Sequence, residues 1–374
     1  MDDSSPSPPL MPPPVITPPP PSRPRKSRGW MIVAIILFVL LGFSWLVIIA
    51  QGISHALTGG GFQTLSSREV GPKLEECLLE NNDSHNKIAV IPVEGLISGH
   101  MADQAGNDMV DVIKAQLDDA ADDDHVKAVI LKVDSPGGEV MASDEINKAI
   151  VKFQEDSHKP VICSMGSLAA SGGYYISAPC RWIVANKLTI TGSIGVIMEG
   201  LNYRGLMDKI GVEPMVFKSG KYKDMLSGMR ETNEIPAGEH EMVQDLIMST
   251  YAIFTNVVAD GRSTAYAEND GAGRALASDW MSYADGRVLS GTQALDLGFV
   301  DELGDFSTAV KRAEKIAGIS NANLVEYCER YDFGNFLSMF GQSSKSPDIK
   351  LDLGLDIPKL QAGAMYFLWQ APGN

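Results

Sequence analysis

The sequence is poor in cysteine, histidine and positive charge. Its 374 residues include four cysteines and six histidines, and 31 Lys and Arg stand against 47 Asp and Glu. No CxxC or HExxH pattern occurs and the acidic residues show no ligand spacing, so we expect no metal site and no cofactor. The formal net charge of −16 argues against nucleic-acid binding, which needs clustered positive charge. The cysteine spacing leaves one or two disulfides open.

Two unusual segments precede the globular part of the chain. Residues 1–29 are rich in proline and end in a basic flank, which predicts a disordered arm. Residues 30–50 carry no charge and are long enough to cross the ~30 Å of a bilayer core. The basic flank predicts a cytoplasmic arm and an extracytoplasmic remainder, in the cell membrane. A cleaved signal peptide is the alternative; an anchor is favoured because signal cores run to only ~7–15 residues.

The chain from residue 51 shows a linker and then an α/β pattern. Residues 51–86 predict a linker with a short helix at 69–80, and 87–330 a single domain of βαβ units with a layered architecture. Continuous apolar runs are typical of strands covered on both faces. The predicted strands are 87–95, 127–134, 160–165, 181–185, 190–198 and 213–219. The predicted helices are 105–121, 140–154, 202–210, 238–259, 290–297 and 305–317.

The C-terminal tail, residues 331–374, has a weaker pattern but an apolar cluster at 365–369. Such a cluster predicts that the tail docks on the domain, on a neighbouring subunit or on the membrane. A substrate cleft is one place for it, where it would act as a self-inhibitor or be a processed end.

The stretch 163–177, CSMGSLAASGGYYIS, is the strongest candidate for a catalytic site. Small residues at a strand-to-helix turn place Ser171 at a helix N-terminus, which suits a nucleophile, although such a turn also serves close packing alone. The glycine pair at 137–138 follows another strand and can expose N–H groups to an oxyanion. No G-x-S-x-G elbow is present and nothing indicates a histidine base. A lysine base is therefore expected among Lys218, Lys221 and Lys223, and the residues alone do not choose between them.

Five motifs, taken together, resemble the signal peptide peptidase A family. They are DSPGG at 134–138, MGSLAASGGYY at 165–175, TGSIGVIME at 191–199, KSGKYKD at 218–224 and DGRVLSGTQALDLGFVDELG at 285–304. The resemblance covers about residues 87–317. It implies a membrane-anchored serine protease of the Clp-protease/crotonase-like fold, preceded by one transmembrane helix.

The resemblance also assigns roles to individual residues. It implies that Ser171 is the nucleophile and Lys223 the general base, that Ser193 holds that lysine, and that Gly138 and Gly172 donate to the oxyanion. The family's substrates are hydrophobic peptides such as signal peptide remnants. Short members, with one copy of the fold as here, form rings in which the serine and lysine of one site come from neighbouring subunits.

Two other functions are compatible with parts of this pattern. A crotonase-type acyl-CoA enzyme shares the fold and the pair of N–H groups, but needs neither Ser171 nor Lys223. A membrane scaffold that binds peptides without cutting them would need the cleft alone. Loss of peptide cleavage in Ser171→Ala separates the protease from both.

Overall fold

The computed structural model describes residues 37–41, 71–100, 107–329 and 365–368. The chain divides into two compact units, Met1–Glu69 and Val70–Asn374. The first is described only at 37–41, which is helical and lies inside the uncharged run 30–50. The predicted arm, most of the predicted anchor and most of the predicted tail lie outside the described residues.

The second unit alternates strands and helices. The strands are β1 Leu74–Glu80, β2 Lys87–Glu94, β3 Val126–Ser135, β4 Gly137–Glu139, β5 Val161–Ala170, β6 Trp182–Ala185, β7 Ile190–Gly192, β8 Val288–Ser290, β9 Glu302–Leu303, β10 Asn323–Glu329 and β11 Tyr366–Leu368. The helices are α1 Met109–Asp122, α2 Val140–Ser157, α3 Gly172–Ser177, α4 Arg204–Ile210, α5 Ala237–Glu268, α6 Gly291–Asp296 and α7 Phe306–Ile316. Two 3-10 turns, Thr232–Glu234 and Trp280–Tyr283, complete the described elements.

The central sheet is mostly parallel. Among the described residues it follows the order β1-β10-β2-β3-β5-β6-β9, and β7 pairs with both β5 and β8. Antiparallel pairing within this sheet is confined to β1 with β10 and β7 with β8. The predicted α/β fold with βαβ units is therefore confirmed, and it is consistent with a Clp-protease-like architecture.

The core lies on both faces of this sheet. Side chains of α1, α2, α3 and α5 pack with one face, while α7 covers the other through Ala309 and Ala313. Burial on two sides explains why the central strands are continuous apolar runs instead of alternating ones. The carboxyl ends of β3 and β5 are neighbours in this sheet, and so are the turns that follow them.

The segment predicted as a helix at 69–80 contains a strand instead. β1 pairs antiparallel with β10, and Leu74 lies opposite Glu329. Its leucines and cysteine have helical spacing, but a partner strand some 250 residues away in sequence overrides that local preference. The folded unit consequently begins before residue 87, the predicted start of the domain.

A disulfide reinforces the β1–β10 pair. Cys77 and Cys328 are bonded, with 6.1 Å between their Cα atoms, while Cys163 and Cys180 are buried free thiols. Burial raises the pKa of the Cys180 thiol, which keeps it protonated and unreactive.

Removing this bond should destabilise the protein, because a long closed loop restricts the unfolded chain. We expect Cys77→Ser to lower the free energy of unfolding by about 2–5 kcal/mol. Urea unfolding with and without reductant measures the effect. The control is Cys180→Ser, which removes a buried free thiol and should keep the effect of the reductant. A reductant effect that persists in Cys77→Ser would contradict the disulfide assignment.

The segment predicted as a strand at 213–219 forms no strand. Met215 is 81% exposed and Phe217 is 91% exposed. Their apolar side chains satisfied the sequence pattern for a strand, but this segment pairs with no described strand.

The helix α5 is long and apolar enough to span a membrane by length and composition, and is the one such helix among the described residues. It nevertheless packs on the domain through Phe254, Val258 and Arg262, which are almost fully buried. Its predicted range was 238–259, and the helix extends nine residues further at its C-terminal end.

Candidate active site

Ser171 lies at the turn between β5 and α3, where sequence reasoning placed it. Its backbone has φ of 54° and ψ of −115°, which is unusual for a residue other than glycine. Its N–H donates to the Gly192 carbonyl at 2.8 Å, so the parallel pairing of β5 and β7 holds the turn. Strain of this kind costs about 1–3 kcal/mol and is concentrated at functional sites.

Three glycines bring backbone N–H groups together beside this serine. Gly172 is the first residue of α3, so its N–H has no acceptor within the helix. A Cβ on Gly172 would lie 3.1 Å from the Gly138 nitrogen and 3.1 Å from the Gly137 Cα. A Cβ on Gly138 would overlap the Ile97 carbonyl. Only glycine fits this approach, and the two N–H groups predicted as oxyanion donors are neighbours.

Ser193 lies on the next turn, directly after β7. Its φ is 51°, and its N–H donates to the Arg287 carbonyl at 2.8 Å. Arg287 in turn hydrogen-bonds Asp285, which lowers the pKa of that carboxyl to about 2. Ser171 and Ser193 are thus held on adjacent turns, and among the described residues neither hydroxyl has a hydrogen-bond partner.

Lys223 is not brought to these serines within one chain. Its side chain is exposed, and among the described residues it makes no hydrogen bond or ion pair. The other candidate lysines are engaged: Lys218 pairs with Asp224 at 2.9 Å, and the Lys221 ammonium lies 5.0 Å from the Tyr222 ring centroid. Within one chain, the described residues therefore give Lys223 no partner that would direct it to Ser171.

The segment that carries Lys223 is anchored on the start of α5. The Leu226 N–H donates to Glu239 at 3.0 Å, and Glu239 also pairs with the buried Arg230. The Arg230 hydrogen bond is the main cause that lowers the pKa of Glu239, which keeps this carboxyl ionised. The segment that carries the lysine is therefore held in place by its contacts with Glu239 of α5.

Sequence reasoning missed the aromatic side chains behind Ser171. Tyr175 and Phe254 are buried with ring centroids 5.0 Å apart, and Phe367 of β11 contacts both. The apolar cluster at 365–369 was the only signal for this group, since Phe254 looks like an ordinary core residue of a helix. Among the described residues, no group of His, Cys, Asp and Glu side chains could hold a metal ion.

Comparisons with known proteins identify the family. The family model for peptidase family S49 matches residues 153–320. A protein of Enterococcus faecium, provisionally named signal peptide peptidase SppA, is 37% identical over 262 residues, which are 68% of this chain and 71% of that protein. The chain belongs to peptidase family S49.

Two other relatives match shorter stretches of this chain, of 211 and 240 residues. A provisionally named protease of Methanocaldococcus jannaschii is 40% identical over 56% of this chain and 63% of its own length. Protease 4 of Haemophilus influenzae is 37% identical over 64% of this chain, but over only 36% of its own length. This chain therefore spans less than two thirds of either of these two proteins.

Proposed function

We propose that this protein is a membrane-anchored serine endopeptidase that cleaves hydrophobic peptides with a Ser-Lys dyad. The observation that carries the proposal is the position of Ser171, strained at a strand-to-helix turn beside the N–H groups of Gly138 and Gly172. A nucleophile next to two convergent donors is the arrangement that acyl transfer requires. Membership of family S49 supports a serine peptidase.

The chemistry follows from these positions. Neutral Lys223 takes the proton of the Ser171 hydroxyl as the oxygen attacks the peptide carbonyl, and the two glycine N–H groups stabilise the oxyanion. The peptide C–N bond breaks, the amine leaves with the proton, and an acyl-serine remains. The same lysine then takes a proton from water, which hydrolyses the ester and restores the serine.

We propose that the lysine of each site comes from a neighbouring copy of the chain. Lys223 is exposed and makes no contact with Ser171, so one chain alone presents half of a dyad. The segment around it also exposes apolar side chains that a monomer would bury, and a patch of this kind is typical of an interface. They are Leu201, Leu206, Ile210, Met215, Phe217 and Leu226, with α5 adding Met242, Leu246 and Ile253.

We place the catalytic unit outside the cytoplasm. The Cys77–Cys328 disulfide supports this location, because such bonds persist in oxidising compartments. The uncharged run 30–50 with its basic N-terminal flank supports the same orientation. Signal peptide remnants released into the membrane would then be within reach of the site.

The test is covalent labelling of the full-length protein with a serine-directed acylating reagent, followed by mass spectrometry of its peptides. We expect the label on Ser171, because this serine lies beside the N–H groups of Gly138 and Gly172. Ser167 is the matched control because it is exposed and lies on the same stretch. Ser167→Ala should keep labelling and cleavage of a hydrophobic peptide, while Ser171→Ala should lose both.

Three other outcomes would contradict the proposed function. Peptide cleavage that survives Ser171→Ala would refute the dyad. Hydrolysis of an acyl-CoA thioester that survives the same substitution would favour the crotonase-type alternative. Peptide binding with neither label nor products would favour the scaffold.

A further inference from the structure

Two buried residues beside the candidate site carry hydroxyl groups that the proposed chemistry does not use. Ser135 is the last residue of β3 and Thr191 lies in β7, and both residues are 0% exposed. Burial of a hydroxyl costs free energy unless the group is hydrogen-bonded, so its partner shows what it holds in place. Each of these two hydroxyls is bonded to the main chain of a turn of the candidate site.

The Ser135 hydroxyl holds the glycine turn that leads to Gly138. It accepts the Gly137 N–H at 3.0 Å, and the Ile97 N–H donates to the Gly137 carbonyl at 2.9 Å. Gly137 has φ of 98°, and glycine has more conformational freedom to lose on folding than any other residue. One hydrogen bond on each side of its Cα therefore fixes both peptide planes of this glycine.

The second of these planes sets the direction of a candidate oxyanion donor. It joins the Gly137 carbonyl to the Gly138 N–H, and these two groups point in opposite directions in a trans peptide. Because the carbonyl points at Ile97, the Gly138 N–H points away from it. Ile97 accepts its own bond from the Glu139 N–H at 2.8 Å, so the Gly138 N–H lies on the other edge of β4. Ser135 therefore acts on this donor through Gly137.

The Thr191 hydroxyl holds the turn that carries Ser171. Thr191 lies opposite Ala169 in the β5–β7 pair, and its Oγ1 donates to the Ala169 carbonyl at 2.6 Å. Two residues further on, the Ser171 N–H donates to the Gly192 carbonyl at 2.8 Å. A strained backbone such as that of Ser171, with φ of 54°, persists only where its surroundings impose it. These two bonds attach the turn to β7.

We infer that Ser135 and Thr191 are positioning residues of the proposed peptidase: the first directs the Gly138 N–H towards the oxyanion, and the second holds Ser171 in the conformation for attack. The inference rests on the proposed function and deepens it, because it names two further residues on which the rate depends. Both act through the main chain. Rates fall steeply when reacting groups are displaced by small distances, so loss of either hydroxyl should act on kcat more than on KM.

The first test measures kcat and KM of the full-length protein for a fluorogenic hydrophobic peptide. We expect Ser135→Ala and Thr191→Val each to lower kcat about 10-fold and to change KM by less than about 2-fold. Thr191→Ser keeps the hydroxyl and removes only a methyl group, so it should recover most of the kcat that Thr191→Val loses. Failure of Thr191→Ser to recover kcat would show that the side chain serves packing alone.

Thr189 provides the matched control for Thr191. It lies two residues earlier, is 1% exposed, and donates to the Gly166 carbonyl of β5 at 2.7 Å. Thr189→Val therefore removes a bond of the same kind between the same two chain segments, but away from the Ser171 turn. We expect it to shift the urea midpoint at least as much as Thr191→Val does and to leave kcat unchanged.

Ser177 provides the matched control for Ser135. It is 0% exposed and donates to the Gly173 carbonyl of α3 at 2.6 Å. Ser177→Ala should lower the urea midpoint and leave kcat unchanged. Equal losses of kcat in these controls and in the variants of Ser135 and Thr191 would overturn the inference, and so would unchanged kcat in Ser135→Ala and Thr191→Val.

Amide hydrogen exchange keeps this inference separate from the proposed function, because it reports main-chain bonds whether or not the protein cleaves peptides. Mass spectrometry at single-residue resolution should show about 10-fold faster exchange of the Gly137 N–H in Ser135→Ala and of the Ser171 N–H in Thr191→Val, but not in the two controls. These changes in a protein that cleaves nothing would refute the peptidase and leave the positioning of the backbone standing. Cleavage with unchanged exchange and unchanged kcat in both variants would do the reverse.

Discussion

Mixing two inactive variants should restore peptide cleavage. Ser171→Ala keeps the lysine and Lys223→Ala keeps the serine, and each alone should lose at least about 10⁴-fold in kcat, as expected when a nucleophile or its base is removed. If the two residues of a site come from different chains, some sites in mixed assemblies contain both. With random assembly from equal amounts, about one quarter of the sites are complete.

The measurement is the cleavage rate of a hydrophobic peptide after the variants are dissociated, mixed and reassembled, with each variant treated alone as the control. No recovery in mixtures proven to contain both chains would place the lysine in the same chain as its serine. A companion pH profile tests the base itself. The wild-type rate should rise with pH as Lys223 loses its proton, and residual activity in Lys223→Ala should lack that rise.

Loss of the Asp301 carboxylate should be among the most destabilising single changes in the folded unit. Asp301 pairs with Arg262 and also accepts the N–H groups of Ile183 at 2.8 Å and Arg274 at 3.1 Å. The side chains of Asp301 and Arg262 are 2% and 0% exposed. Asp301→Ala leaves a buried guanidinium without its partner, and we expect it to lower the free energy of unfolding by about 3–5 kcal/mol.

The matched control is Glu268→Ala. Glu268 is the last residue of α5, the helix that carries Arg262, and its half-exposed side chain pairs with Arg181. We expect that change to cost less than about 1 kcal/mol, because exposed ion pairs are screened by solvent. Urea unfolding of the full-length protein measures both. Equal costs for the two substitutions would contradict the expected difference between the buried and the exposed ion pair.

The turns of the candidate site were predictable because each depends on local sequence. Ser171, Ser193 and the glycines follow strands whose apolar runs are continuous, and in a parallel sheet such turns meet at one edge. Their roles, and the choice of Lys223 over its two neighbours, came from the resemblance and remain predictions. The resemblance also implies that the serine and lysine of one site come from neighbouring subunits. Within the described residues of one chain Lys223 makes no hydrogen bond to Ser171, and the subunit that supplies the lysine remains a prediction.

The errors in the fold have a common cause. β1 was taken for a helix and 213–219 for a strand, and in both cases a distant partner decides the outcome. β1 gains a strand and a disulfide partner from β10, whereas 213–219 pairs with no strand in the part of the chain that the structure describes. The aromatic group behind Ser171 was missed for the same reason, because Tyr175, Phe254 and Phe367 meet only after the chain has folded.

The disulfide between β1 and β10 has a consequence for autolysis. A backbone cut anywhere between Cys77 and Cys328 leaves two fragments that stay covalently joined. If the enzyme nicks its own exposed segment near Lys223, the damaged molecule keeps nearly its full mass and migrates as one species until a reductant is added. In an oxidising compartment, cleaved protein would then accumulate at nearly the mass of uncleaved protein. Electrophoresis under reducing conditions would separate the fragments and show what fraction of a preparation is uncleaved.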